Sequence, residues 1–446
     1  MCRVLWLSDV PVLWFLSRLS RFATQQRLCF PKILGMWTFT ILCLLFISID
    51  LPYSKFHNIF GTADYDFNTV KRVNDQRRVA AHQYLSQIHA GNTRTRYLRN
   101  GNSGKLRYAI GVVSVARKSR WVKLEYLTQV MSKLDQIIVK NNATESVFPF
   151  ICNTDSNPEK FEEANWLSTY FPCITRVYSK NVVPKTRRRD SVQEKEKQDY
   201  VFCLEAAVQY NADYVILLED DAYPADNFYE VLEHTIRSKL ETTIRRGEKI
   251  PVYHERWVWV KLCFPYSLAD YHRNWYFFCQ WIALATLLGG ISCLIIHHIY
   301  PLLFSTRLFG KATWCTMSNT SRHPQLTFYT FLHSLVYFVF VLGIIGRPYY
   351  LELRSVSPYT YSLDPGTSCC TPAMLYSPRE IPGIVNYLRG CSCSRRYPLD
   401  FALDDYREKS NLKQYLMSPN LFTHIGFYSS LHNNFNGNKM EFVGQI

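Results

Sequence analysis

Three acidic residues in a row, Glu219, Asp220 and Asp221, follow the apolar run YVILL (residues 214–218) and precede Ala222-Tyr223-Pro224. A short run of this kind reads as a buried strand. In an extended chain alternate side chains face the same way, so Glu219 and Asp221 can converge on one point while Asp220 faces elsewhere. Two convergent carboxylates at a strand end suit a hard divalent cation whose remaining oxygen ligands come from substrate phosphates. Such an ion would act as a Lewis acid on a leaving diphosphate. A solvated acidic turn leading into a helix at Asn227 is the alternative, and the triplet alone leaves both open. The sequence has neither a mononucleotide P-loop nor GxGxxG, which argues against kinase and dehydrogenase chemistry.

The elements that must position these carboxylates can be read from periodicity. YAIGVVSV (residues 108–115) predicts a buried strand, and residues 122–139 predict a helix with Leu124, Leu127, Val130, Met131, Leu134 and Ile138 on one face. VFPFICN (147–153) and CITRVYS (173–179) predict further strands, and 191–210 a helix with Tyr200, Val201, Leu204, Ala207 and Val208 as its stripe. Strands alternating with helices imply an α/β domain on a parallel or mostly parallel sheet. In such sheets ligands bind beyond the carboxyl ends of the strands.

The chain has 446 residues, 48% of them hydrophobic and 15% aromatic, which excludes a disordered polymer. Its net charge of +15 invites a nucleic-acid reading. The basic residues, however, cluster only near Arg77–Arg78 and Arg187–Arg189, without a nucleic-acid motif. No nucleic-acid partner is expected; membrane lipid head groups or a sugar diphosphate suit the charge as well. The 14 cysteines show no zinc-type spacing, and an oxidising compartment with some of them in disulfides fits better. Cys391 and Cys393 form a CxC, and Cys369 and Cys370 are adjacent.

Three apolar stretches, 33–51, 275–296 and 326–345, have the length and composition of transmembrane helices. Arg18, Arg21, Arg27 and Lys32 precede the first, which reads as a signal anchor with residues 1–32 in the cytosol. Arg307, Lys311 and Arg322 place the loop 297–325 there too. The expected order is then a luminal stem (52–107), the first part of a luminal domain (108–274), a membrane hairpin, and the second part (346–446). The two parts must fold together around the hairpin. This topology makes the sequon at Asn142 luminal and that at Asn319 cytosolic.

Four ordered blocks carry a resemblance: EKEKQDYVFCLE (194–205), the strand with EDDAYP, CCTPAMLY (369–376) and NLFTHIGFYSSL (420–431). With the hairpin, they are similar to the post-GPI-attachment to proteins N-acetylgalactosamine transferase family, the fourth of its series, from about Tyr108 to Leu431. The resemblance implies a GT-A-type nucleotide-sugar transferase fold split by a transmembrane hairpin, in the Golgi membrane. It implies UDP-N-acetylgalactosamine (UDP-GalNAc) as donor, a divalent metal such as Mn2+, and the first mannose of the glycan on GPI-anchored proteins as acceptor. The acidic triplet matches the DXD-type motif, and His424-Ile425-Gly426 the HxG element whose histidine completes the metal shell. Glu219, Asp221 and His424 are thereby implied as metal ligands. Arg117 in SVARKS and Lys261 in VKLCFP fall on family positions and, with Asp220, are implied donor contacts, although Lys261 also suits mere packing. Ala116 stands where the family has an acidic residue. Asp400, opening DFALDDY, falls on the family's acidic position at a helix start. It is implied as the base of an inverting transfer or, alternatively, as a helix N-cap, with Asp404 and Asp405 as rivals.

The leading expectation is an inverting, metal-dependent transferase acting on GPI anchors. Two alternatives remain: a Golgi glycosyltransferase for an N-glycan or glycolipid, and a non-catalytic GPI-binding membrane protein.

Overall fold

The computed structural model describes residues 30–49, 51, 54, 67–101, 106–117, 119, 122–177, 190–245, 248–251, 256–295, 324–366, 368–429 and 434–435. The basic N-terminal residues, the loop with Asn319, and Arg187–Arg189 lie outside them. The chain divides into two compact units, Met1–Thr62 with Asp270–Arg347, and Ala63–Ala269 with Pro348–Ile446.

The first unit is helical: Phe30–Ser48, Trp275–Leu294 and Pro324–Ile345. The last two pack closely because Gly289 lets the backbone at Leu335 approach; a Cβ there would lie 3.1 Å from the Leu335 nitrogen. The Trp281 indole N–H donates to the Val339 carbonyl at 3.1 Å. Among the described residues only Trp275–Leu294 is by itself long and apolar enough to cross a bilayer. Thr330–Ile345 meets that test only when taken with its bent continuation Arg347–Val356, and Trp37–Ser48 is apolar but shorter. The first apolar helix ends at Ser48, short of the expected residue 51.

The second unit is an α/β domain. In chain order its strands are β1 (Tyr108–Ser114), β2 (Val147–Asn153), β3 (Cys173–Thr175), β4 (Tyr214–Glu219), β5 (Ala222–Pro224), β6 (Thr242–Arg245), β7 (Glu248–Pro251), β8 (Trp257–Lys261), β9 (Ser362–Pro365), β10 (Ala373–Tyr376), β11 (Lys413–Ser418), β12 (Phe422–His424), β13 (Tyr428–Ser429) and β14 (Asn434–Phe435). The main sheet has the order β3-β2-β1-β4-β10-β8-β11-β9. Four of its pairings are parallel: β3/β2, β2/β1, β1/β4 and β8/β11. Strand β10 runs antiparallel to both β4 and β8, and β9 antiparallel to β11. Both sequence halves are therefore woven into one sheet, since β10 lies between β4 and β8 and β11 follows β8. Residues 270–347 are an insertion into this weave.

Strand β1 is buried along nearly its whole length, as its unbroken apolar run requires. The helix after it begins at Tyr126, later than periodicity predicts, because Glu125 takes a left-handed conformation (φ 45°). Val122 and Leu124 instead pack in a side cluster with Val70, Tyr126, Ile425 and Phe427. The segment expected as a stem is a helix, Phe67–Gln87, lying against Tyr126–Lys140. Asn74 donates to the Lys123 carbonyl (3.0 Å), Arg77 to Gln129 (3.1 Å) and Tyr84 to the buried Asp135 (2.7 Å). A disulfide between Cys152 in β2 and Cys203 in the helix Asp190–Val208 ties sheet to helix.

Gly111 sits at a tight point of the sheet. A Cβ there would come within 2.7 Å of Phe150 Cζ and 2.9 Å of Leu217 Cδ2, both fully buried. Gly111→Ala is expected to destabilise the domain by about 1–3 kcal/mol through overpacking. Chemical denaturation of the detergent-solubilised chain checks this; an unchanged midpoint would mean that the neighbours yield freely.

Candidate functional site

The strand order 3-2-1-4 places the topological switch at β1, with β2 on one side and β4 on the other. The crevice beyond the carboxyl ends of β1 and β4 is where such a sheet binds ligands. Arg117 lies three residues past the end of β1, Glu219 ends β4, and Asp220 and Asp221 follow at once. Lys261 ends β8. Because β10 is antiparallel, its entry, Cys369–Pro372, reaches the same edge. His424 arrives from far along the chain: β12 pairs with β5, and His424 sits opposite Ala222.

Glu219, Asp221 and His424 offer ligand atoms that all lie within 4.8 Å of one another. Asp221 and His424 approach to 3.4 Å, and the Ile425 N–H donates to the Asp221 carbonyl at 2.8 Å. Asp220 is not part of this group; it accepts from Arg117 and, at 3.3 Å, from Ser114. Arg117 bridges outward: one amino group pairs with Asp220, while the other lies 2.8 Å from Asp221 and donates to the Tyr428 carbonyl at 3.0 Å. Its guanidinium also lies over the Tyr126 ring, 5.3 Å from the centroid. At Ala116 the backbone N–H donates to the Asp155 carboxylate at 2.9 Å.

The electrostatics show a shortage of positive charge. Burial, then repulsion from Asp221 and Glu196, pushes the Glu219 carboxyl up to about 8. Burial raises Asp220 to about 6 against the pull of Arg117. Asp221 is held below its ordinary value: burial opposes this, but Arg117 and His424 outweigh it. Burial lowers His424, against the pull of Asp221; an unprotonated imidazole nitrogen can ligate a metal. Asp221 Oδ1 is buried with no hydrogen-bond partner among the described residues. One guanidinium against two buried carboxylates and a half-buried one, an orphaned oxygen and an imidazole together fit a divalent cation. Gly426 belongs to the same fit. A Cβ there would collide with the Asp221 carboxylate, coming within 2.8 Å of its Cγ and 3.2 Å of His424 Cε1.

The model of the family described as GPI-N-acetylgalactosamine transferase PGAP4 matches residues 108–423. The chain belongs to that family. It is therefore a glycosyltransferase, with a GPI-anchor glycan as acceptor class and a nucleotide sugar as donor class. The matched region opens with β1, runs across the helical insertion and closes within β12 at Thr423, next to His424.

The structure separates the remaining sequence-derived residues. Asp400 is not a helix N-cap: Pro398 holds that position in Leu399–Lys409, and Asp400 lies in the first turn. Its carboxylate accepts its neighbour's N–H, from Phe401, at 3.1 Å and the Cys370 N–H at 3.5 Å. Asp405 is engaged by the Tyr397 hydroxyl at 2.6 Å. Asp404, one helical turn from Asp400, is buried, and neither carboxylate oxygen has a hydrogen-bond partner among the described residues. Lys261 donates to the Cys369 carbonyl, and burial pushes its ammonium down to about 8 although Asp404 and Asp400 pull it up.

Two neighbours escaped the sequence reading. Thr371 donates to Glu219 Oε1 at 3.1 Å. Glu196 is pushed up to about 7 by burial and by repulsion from Asp400 and Asp199. It sits in a run of alternating charges that has the pattern of a solvated helix start, so only packing could single it out.

If Gly426 is the cradle of a cation site, Gly426→Ala should weaken Mn2+ binding by about 10–100-fold, the usual effect of disturbing a ligand's support. Thermal shift or calorimetry with Mn2+ reads this without any transfer assay; an unchanged Mn2+ response would remove the cradle argument.

Proposed function

We propose that this chain transfers N-acetylgalactosamine from UDP-GalNAc to the first mannose of the glycan on GPI-anchored proteins, with inversion at the sugar carbon. The observation that carries the reading is the convergence of Glu219, Asp221 and His424 at the sheet's switch point, within a chain of this family. These three residues would hold a divalent ion, Mn2+ being the expected one, which supplies charge neutralisation for the leaving diphosphate. Arg117 orients Asp220 and Asp221 through its paired contacts. Lys261, an ammonium at the end of β8, contributes positive charge on the donor side of the crevice.

Direct inversion needs a carboxylate to take the acceptor hydroxyl's proton on the face opposite the leaving group. Asp400 is the candidate, and its contacts support the reading. It accepts from Cys370 N–H, and the next residue, Thr371, donates to Glu219, so the two carboxylates flank one short segment. Asp404 is the rival base because its buried oxygens accept no hydrogen bond among the described residues, although Arg407 Nε lies 3.8 Å from one of them; the engagement of Asp405 by Tyr397 speaks against Asp405.

The setting we propose is the Golgi membrane with three spans, residues 33–51, 275–296 and 326–345, and with the α/β domain in the lumen. A GPI glycan is tethered to the bilayer. A domain anchored by its own insertion stays within reach of it, which raises effective concentration without new contacts.

Asp400→Asn tests the base. The amide cannot accept the proton, and loss of a first-turn charge costs a helix only about 0.3–1 kcal/mol. The expected outcome is normal folding and UDP-GalNAc binding with transfer slowed by about 10²–10⁴-fold. Near-normal turnover in Asp400→Asn, with a collapse in Asp404→Asn, would move the role to Asp404. Topology is tested separately. Asn142 is exposed in a turn with φ 53°. Asn142→Gln should abolish a glycosidase-sensitive mobility shift and Asn319→Gln should leave it unchanged; a shift that depends on Asn319 would overturn the three-span arrangement.

A further inference from the structure

Cys369 and Cys370 are joined by a disulfide between adjacent residues. Both are held at positive φ, 124° and 66°, a region that side-chain-bearing residues avoid. They open a four-residue segment whose contacts run to three residues of the proposed site. The Cys369 carbonyl accepts from Lys261 Nζ. The Cys370 N–H donates to Asp400 Oδ2 at 3.5 Å. The Thr371 hydroxyl donates to Glu219 Oε1 at 3.1 Å, and the Glu219 N–H returns a bond to the Pro372 carbonyl at 2.8 Å. Cys369 also packs beside Phe264 and Leu416.

We propose that the Cys369–Cys370 disulfide is a positioning latch: it locks the segment 369–372 in the one backbone shape that holds Lys261, Asp400 and Glu219 in register, so that transfer depends on the oxidation state of this pair. The proposal rests on the site assignment above. Closing a loop between adjacent residues removes almost no entropy from the unfolded chain, so this crosslink contributes little to global stability. Cys152–Cys203 differs: its partners are 51 residues apart and fully buried, so it stabilises the scaffold and resists reagents. Cys369 and Cys370 are only half-buried and open to a small reductant. Once the bond is cut, nothing covalent keeps two non-glycine residues at positive φ. The segment then relaxes, and its four polar contacts move with it.

The reductant is a small dithiol such as dithiothreitol. One of its thiolates attacks a cysteine sulfur and the other cysteine sulfur leaves as a thiolate. The reagent's second thiol then displaces the mixed disulfide. Two protein thiols and one cyclic disulfide result, so the reagent is oxidised by two electrons and the protein reduced by two.

The test uses the full chain in detergent micelles with UDP-GalNAc and a GPI-anchored acceptor. Increasing dithiothreitol is followed by alkylation and peptide mass mapping. The expected result is a fall in transfer of about 10–100-fold, the scale of a small misplacement of catalytic groups. It should track alkylation of Cys369 and Cys370 while Cys152 and Cys203 stay unlabelled and the melting temperature holds, and it should reverse on reoxidation. Cys369→Ser with Cys370→Ser should be slow from the start and indifferent to mild reductant. If that variant does not fold, the reductant titration on the natural chain decides alone. Undiminished transfer with both cysteines alkylated would overturn the latch, as would mapping that finds both thiols free in the untreated chain. UDP-GalNAc affinity is titrated in parallel and should weaken on reduction through Lys261. A chain that never transfers would count against the proposed function, while unchanged UDP-GalNAc affinity after alkylation would then count against the latch.

Discussion

Three successive carboxylates, Glu219 half-buried and Asp220 and Asp221 buried, sit at the end of one strand with the Arg117 guanidinium beside them. Most of the domain can be understood as the means of tolerating that arrangement. Burying a carboxylate without compensation is expensive, and here the compensation comes from every side. Arg117 from the end of β1 pairs with two of the acids, Ser114 and Thr371 each donate a hydroxyl, and backbone N–H groups fix the turn. The deficit that remains falls most on Glu219, pushed up to about 8, whose side chain converges with Asp221 and His424. Strain of this kind is tolerated where a cation or a substrate relieves it, and for that reason perturbed carboxylates mark functional sites.

The sheet makes the arrangement possible by drawing on remote parts of the chain. Parallel strands β3-β2-β1-β4 deliver Arg117 and the acidic triplet from the first sequence half. Antiparallel β10, slotted between β4 and β8, brings Thr371 from the second half to the same edge, and the β5/β12 ribbon brings His424. A single sheet with strands from both halves tolerates a long insertion because the cost of a longer loop grows only slowly.

Carboxylates beyond the triplet extend the same economy of charge. Glu196 and Asp400 repel each other, and Glu196 also raises Glu219, so a continuous acidic lining runs from the candidate cation site toward the helix Leu399–Lys409. Lys261 is the cation that faces this lining, drawn by Asp404 and Asp400 while tied to the Cys369 carbonyl.

Much of this was legible in the residues themselves. The runs of residues 108–115, 147–153 and 214–218 are apolar and β-branched enough to be buried strands wherever they fall. The period of two along a strand already separates Asp220 from Glu219 and Asp221, because that alternation is a property of the backbone and needs no partner. The ordered blocks identified the family. Only the tertiary structure decided the rest. Periodicity misplaced the start of the helix at 126 because a left-handed Glu125 carries no pattern signal. Asp400 reads as a cap until Pro398 is seen in that position. Glu196 looks like one solvated charge among many until it is found facing Asp400. The pairing of Cys369 with Cys370, and their contacts with Lys261 and Asp400, involve residues up to 108 positions apart. Local pattern reports which face of an element is apolar; it does not report what that face meets. A buried charge takes its meaning from groups that only long-range strand pairing brings within a few ångströms.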